Sequence, residues 1–184
     1  EWNVWYHSNA QDRAVLEGNS GWPHAPRLLE DIYNFEDVLQ VGCILNTFIR
    51  RSDIVKIACI AQLVNVIAPI MTDPMGAAWR QTIYYPYYFA SIFGRGTALN
   101  MVVNCPGYDA DVADNVPYLD VAGVHDEEAG IVTFFAVNRH PTEVLDVTLS
   151  LQGFGSRARV VEHQVMTHPD LFAVNTAVNP MNVA

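Results

Sequence analysis

The first residues of the chain carry the side chains whose types and spacing could do chemistry. Glu1 is followed within five positions by Trp2, Asn3, Trp5 and Tyr6. Aromatic faces stack on the C–H faces of a sugar ring, amides hydrogen-bond its hydroxyls, and a carboxylate can act as a nucleophile or as an acid–base group. The stretch therefore indicates a sugar-binding cleft in which Glu1 is the candidate catalytic residue.

The same stretch also has a plainer interpretation. An aromatic strand edge that ends in a frayed glutamate would have this composition, and most carboxylates in proteins are not catalytic. Residues 9–26 are polar and contain Gly and Pro, so we expect a loop over the cleft. A carboxylate at the end of a strand, just before such a loop, has the position of catalytic residues in (β/α)8 barrels.

The elements between this stretch and residue 96 indicate a β-α-β unit. Asn34 is a good N-cap, and apolar residues recur from Val38 to Phe48 at helical spacing, with arginines at 50 and 51. Three acidic residues near this start, Glu30, Glu36 and Asp37, are expected to cap the helix and complement its dipole. Residues 54–70 open with a nearly continuous apolar run, which predicts a parallel strand buried on both faces, with Gln62 and Asn65 at its far end. The second half of residues 79–93 predicts a helix ended by Gly94, with Pro86 as its first residue or a kink.

The remainder of the chain has a different pattern. Short β-branched runs separated by turn signals are typical of an antiparallel sandwich. The predicted strands are residues 98–103, 118–124, 131–137, 144–151 and 159–165.

Four stretches resemble the α-L-arabinofuranosidases of glycoside hydrolase family 51. In chain order they are EWNVWY (residues 1–6), LLEDIYNFED (28–37), VKIACIAQLVNVIAPIM (55–71) and WRQTIYYP (79–86). The first resembles the nucleophile motif of that family. The resemblance implies that Glu1 is the nucleophile of a retaining glycosidase, that Gln62 hydrogen-bonds the arabinofuranose ring, and that Trp5 flanks the substrate.

The resemblance also implies a fold and an activity. The expected fold class is α/β plus all-β: the last part of a (β/α)8 TIM barrel in residues 1–96, followed in residues 97–184 by a jelly-roll-like antiparallel β-sandwich that is incomplete at its end. The chain would begin partway through a protein, with the acid/base carboxylate on an earlier strand. The implied reaction releases terminal non-reducing α-L-arabinofuranosyl residues from arabino-oligosaccharides, arabinan or arabinoxylan by double displacement. We expect this segment alone to be inactive, and the resemblance implies a hexamer.

Two other functions stay open. An endo-acting β-glucanase of the same barrel clan would use a similar carboxylate. A non-catalytic carbohydrate-binding module would carry aromatic residues along one sandwich face, but Phe134 and Phe135 are adjacent and point to opposite faces of a strand. For the individual residues, Gln62 could satisfy backbone groups at a strand end, and Trp5 could cap the barrel rim.

The net charge, the cysteines and the spacing of the histidines argue against several kinds of partner and cofactor. The net charge of −10 argues against nucleic acid and anionic membranes, since binding phosphate requires a basic face. Cys43, Cys59 and Cys105 are odd in number and widely spaced, which favours free, buried thiols in a reducing, cytoplasmic setting over disulfides. The histidines have no metal-ligand spacing, so we expect no metal, and carboxylate chemistry needs no cofactor.

Overall fold

The computed structural model describes residues 1–5, 13, 17–18, 21, 29–154 and 158–183; the predicted loop at 9–26 lies almost entirely outside these residues, as do Tyr6 and His7. In chain order the described elements are α1 (Phe35–Arg50), β1 (Ile70–Thr72), β2 (Ala78–Arg80), α2 (Tyr84–Phe93), β3 (Thr97–Ala98), β4 (Gly107–Ala110), β5 (Ala113–Pro117), β6 (Leu119–Asp126) and β7 (Ile131–Asn138). Within the described residues the strands pair in small antiparallel sheets of order β1–β2, β3–β6–β7 and β4–β5.

Helix α1 begins where the sequence predicts. The Asn34 side chain accepts a hydrogen bond from the Asp37 N–H at 3.1 Å, and the Asp37 carboxylate accepts one from the Asn34 N–H at 2.8 Å. This reciprocal capping box satisfies backbone donors that a helix start leaves unpaired. The capping roles of Asn34 and Asp37 are confirmed, and α1 ends at Arg50 with its C-cap at Arg51.

Helix α2 confirms the helix predicted in the second half of residues 79–93. It ends at Phe93, and the Gly94 N–H donates to the Ala90 carbonyl at 2.9 Å. Pro86 is the third residue of α2 and not its first. The first turn of a helix has no backbone acceptors for its N–H groups, so a proline there loses no hydrogen bond. Neither described helix has the length and apolar content to cross a membrane.

The prediction of a regular, doubly buried strand at residues 54–70 is wrong. In this segment the described pairings before β1 are isolated parallel bridges, Trp2 with Ile60 and Val64 with Ile70. Ile54 is 66% and Ile57 83% exposed. A strand buried on both faces needs neighbouring strands on both edges and helices over both faces, and the described residues supply one short neighbour.

The β-rich half is confirmed only in part. Strands β6 and β7 confirm the strands predicted at 118–124 and 131–137, and they pair as a hairpin from Leu119–Asn138 to Asp126–Ile131. Strand β3 shares only Ala98 with the predicted strand 98–103. The predicted strands at 144–151 and 159–165 are wrong, because those residues find no ladder partner among the described residues. The β4–β5 hairpin was not predicted, since its sequence, GYDA and ADNVP, lacks β-branched alternation.

Helix α1 lies at the centre of the packing. One buried cluster on it consists of Val4, Tyr33, Val41 and Ile83, and the other of Phe35, Val38, Ala173 and Val183. Gly42 lets α1 approach β7 closely, because a Cβ at this position would lie 2.9 Å from Cγ2 of Val137. The helix therefore joins the N-terminal residues, the C-terminal residues and the β6–β7 hairpin.

A buried ion cluster fastens α1 to β6. The Asp120 carboxylate accepts hydrogen bonds from the Asn46 amide at 2.8 Å and from Nη1 of Arg50 at 2.9 Å, and Arg139 lies 3.6 Å away. Asp120 is 8% exposed, so its charge depends on these partners for compensation.

We expect Asp120→Ala to lower the free energy of unfolding by about 2–4 kcal/mol, because it leaves the two arginines and Asn46 without their shared acceptor. Urea unfolding followed by circular dichroism would measure the change. The control is Arg51→Ala, which removes an ion pair to Asp53 whose two side chains are 55% and 62% exposed. Its unfolding midpoint should stay within error, and equal losses for the two variants would contradict the importance of the Asp120 cluster.

Candidate functional site

The segment that carries Glu1 lies beside the segment that carries Gln62. The Trp2 N–H donates to the Cys59 carbonyl at 3.1 Å, and the Ala61 N–H donates to the Trp2 carbonyl at 2.8 Å. This is the hydrogen-bond pattern of a parallel pair centred on Trp2 and Ile60. Helix α1 lies between the two segments in sequence. The two segments and the helix therefore have the connectivity of a β-α-β unit.

The register of this pair places two of the predicted site residues, Glu1 and Gln62, relative to each other. Glu1 precedes the paired Trp2, whereas Gln62 lies two residues past the paired Ile60. In fully extended strands, this three-residue offset would correspond to roughly 10 Å along the strand direction. Glu1, Trp5 and Gln62 are all exposed, with Trp5 at 50%. The fold thus places them on adjacent segments and leaves each side chain open to solvent.

Gln62 does not continue an extended strand. Its φ is +59°, and Asn65 and Ile67 follow with φ of +66° and +39°. Residues other than glycine rarely adopt this left-handed region, and for a β-branched residue such as Ile67 it is a genuine outlier. Clusters of such residues persist where the surroundings hold them, and they are concentrated at functional sites.

Gln62 to Ile67 form an irregular turn, and two amide side chains, those of Asn65 and Asn3, hold it in place. The Asn65 side chain accepts from the Thr72 N–H at 2.8 Å and donates to the Thr72 hydroxyl at 3.0 Å. The Asn3 amide donates to the Ala61 carbonyl at 3.1 Å and also to the Ile67 carbonyl, while its oxygen accepts from the Val4 N–H at 2.8 Å. The conformation around Gln62 is therefore tied to the Glu1 segment and to β1.

Trp2, the residue after Glu1, packs against aromatic side chains of both helices. The Trp2 ring meets Phe48 of α1 edge-on at 5.2 Å between centroids and lies 6.2 Å from Tyr87 of α2. The Tyr33 hydroxyl donates to the Val4 carbonyl at 2.7 Å. These contacts fix the backbone that presents Glu1 and Trp5.

Gln81 is a buried residue for which the sequence predicts no role. Its amide oxygen accepts from the Tyr33 N–H at 3.0 Å, and its nitrogen donates to the carbonyls of Asp31 at 2.9 Å and Ala68 at 2.7 Å. It is 1% exposed, so all of these bonds are buried. Its neighbours Arg80 and Thr82 are also polar, so the local sequence carries no signal for this buried role.

Gln81 also lines a cleft of about 410 Å³. Its other lining residues are Glu30, Ile32, Met71, Trp79, Asn175 and Thr176. It contains none of Glu1, Trp5 and Gln62. The Trp79 indole N–H is buried without a hydrogen-bond partner among the described residues.

The candidate metal ligands are dispersed. Among the described residues no three His, Cys, Asp or Glu side chains come together in a geometry that could hold an ion. All three cysteines are free, as predicted, but the expectation that they are buried is not met: Cys43 and Cys105 are half-buried and Cys59 is exposed. Burial raises the pKa of the Cys43 thiol to about 11, and the nearby Asp120 carboxylate acts in the same direction.

Comparison with known proteins identifies the class of domain. The family model described as the alpha-L-arabinofuranosidase C-terminal domain matches residues 1–184. The intracellular exo-alpha-(1->5)-L-arabinofuranosidase of Halalkalibacterium halodurans is 53% identical over 175 residues, which are 95% of this chain and 34% of that protein. The exo-alpha-(1->6)-L-arabinofuranosidase of Bifidobacterium longum is 41% identical over 178 residues, 96% of this chain and 33% of that protein.

Solved structures agree with the sequence relatives. A family 51 alpha-L-arabinofuranosidase from Bifidobacterium longum superposes with a TM-score of 0.85 at 34% identity, covering all of this chain and 35% of the other. The chain belongs to the α-L-arabinofuranosidases of glycoside hydrolase family 51. It spans about a third of the length of these relatives.

Because the pKa of Cys43 is about 11, we expect iodoacetamide at pH 8 to label Cys59 at least about tenfold faster than Cys43. Peptide mass spectrometry would measure both rates, with Cys59→Ser as the control for site assignment. The Cys43 thiol holds its proton more tightly in the folded state than in the unfolded chain. The contribution of this proton to the free energy of unfolding is therefore complete below pH 9.0 and is lost as the pH rises towards 11. Equal labelling rates would contradict the burial of Cys43.

Proposed function

We propose that this chain is the C-terminal part of a retaining, exo-acting α-L-arabinofuranosidase, with Glu1 as its nucleophile. The observation that carries the proposal is the parallel pairing of Trp2 with Ile60, which brings the Glu1 segment beside the segment of Gln62. Membership of family 51 supports it, as do the names of the relatives, which are exo-α-L-arabinofuranosidases.

We propose that residues 1–96 contribute the last β/α units of a (β/α)8 barrel and that residues 97–184 begin a β-sandwich. The order of the Glu1 segment, helix α1 and the Ile60 segment supports the barrel assignment. Exposed Ile54, Ile57 and Leu63 need apolar cover, which the part of the relatives outside this match could supply. The β3–β6–β7 sheet supports the sandwich.

The chemistry of the proposed reaction uses two carboxylates. Glu1 attacks the anomeric carbon, the bond to the leaving oxygen breaks, and a second residue on an earlier barrel strand, in its carboxylic acid form, protonates that oxygen and becomes a carboxylate. The second carboxylate then deprotonates water, which attacks the same carbon and frees Glu1. Such a pair lies about 5–5.5 Å apart in retaining enzymes. Both steps are complete without a cofactor.

Gln62 and Trp5 have binding roles in this proposal. The Gln62 amide would hydrogen-bond the hydroxyls of the arabinofuranose ring, and the exposed Trp5 ring would flank the sugar. The substrate would be the terminal residue of an arabino-oligosaccharide, arabinan or arabinoxylan. We expect α-(1→5) linkages to be cleaved fastest, because the relative that is 53% identical carries that name. By the same family reasoning, the enzyme would be a cytoplasmic hexamer.

In the full-length enzyme, Glu1→Ala should lower the rate of hydrolysis of an aryl α-L-arabinofuranoside by roughly a thousandfold or more, because no nucleophile remains. Azide should restore turnover by entering the vacated position and should give a glycosyl azide of inverted configuration. The matched control is Glu36→Ala, which removes an exposed carboxylate from the first turn of α1.

The control should retain a near-normal rate. A Glu1→Ala variant with near-normal activity would overturn the assignment of the nucleophile. Rates on an aryl glucoside or cellulose that exceed those on the arabinofuranoside would instead favour a β-glucanase.

A further inference from the structure

Asn3 makes contacts that connect the candidate nucleophile with the candidate substrate-binding amide. It lies two residues after Glu1, and its amide nitrogen donates to the carbonyls of Ala61 and Ile67. Ala61 immediately precedes Gln62, and Ile67 closes the turn that follows it. One side chain therefore ties the Glu1 segment to both ends of the turn that carries Gln62.

The turn needs such a tie because its backbone is not in a relaxed conformation. Gln62, Asn65 and Ile67 all have φ between +39° and +66°. The Ile67 N–H is held by the Leu29 carbonyl at 2.6 Å, and Asn65 is held by Thr72. Without a donor between Ala61 and Ile67, these residues can relax towards ordinary backbone angles, and Gln62 would move with them.

The chemistry of the contact requires an amide. Two N–H donors meet two carbonyl oxygens, while the amide oxygen accepts the Val4 N–H at 2.8 Å. A carboxylate of the same shape keeps the acceptor but has no donors, and it would set a negative charge against two carbonyl oxygens. An alanine loses all three bonds.

We propose that Asn3 is a positioning residue that sets the place of Gln62 relative to Glu1. This inference rests on the proposed function, since it gives Asn3 its role through Gln62. Both donors of the Asn3 amide and its oxygen are bonded to backbone groups, so Asn3 acts on the sugar by holding the turn.

A double-mutant cycle in the full-length enzyme tests this role. Asn3→Ala should lower kcat/KM on an aryl α-L-arabinofuranoside by about tenfold to a hundredfold, the range expected for a displaced binding group. In a Gln62→Ala background the same change should lower kcat/KM by less than about threefold, because the group that Asn3 positions is already absent. Asn3→Asp should behave as Asn3→Ala does, and it remains informative if the alanine variant does not fold.

The matched control is Asn138→Ala, which removes an exposed asparagine that donates to the Glu143 carbonyl at 2.7 Å in the β-rich half. It should change kcat/KM by less than twofold in either background. An Asn3 effect that is equally large with and without Gln62 would overturn the inference and leave the proposed function standing. A Gln62→Ala variant with unchanged kcat/KM would remove the role proposed for Gln62, and the inference with it.

Discussion

The structure depends on one pair of backbone hydrogen bonds, those that join Trp2 to Cys59 and Ala61. They place the N-terminal segment parallel to a segment nearly sixty residues later. A parallel pair requires a crossover connection, and α1 supplies it. Every structural argument for a site at Glu1 follows from this pairing, because it determines which later residues lie beside the glutamate.

Helix α1 makes the pairing possible because it offers surfaces to several parts of the chain. Val41 packs with Val4 in one cluster, and Val38 packs with Ala173 and Val183 in the other. Asn46 and Arg50 bind Asp120 on the β6–β7 hairpin, where Gly42 permits close approach. A single helix thus relates the Glu1 segment to the β-rich half.

Polar side chains inside this framework form hydrogen bonds mainly with backbone groups. Gln81 satisfies three backbone groups from two separate segments, and Asn3 and Asn65 hold the turn at Gln62. Amides suit this work because each offers both donors and an acceptor. The site region is consequently shaped by hydrogen bonds from side chains to backbone more than by a regular ladder.

The sequence by itself determined the features that depend on neighbouring residues. The Asn34–Asp37 capping box, the end of α2 at Gly94 and the β6–β7 hairpin with its turn are all local, and each was predictable from residue type and spacing. The resemblance of the EWNVWY stretch also pointed to the family. Only the tertiary structure decided the strand state of residues 54–70 and 144–151, because a strand exists only where another supplies its hydrogen bonds. The same holds for Asn3 and Gln81, whose partners are carbonyls far away in sequence that no local pattern reveals.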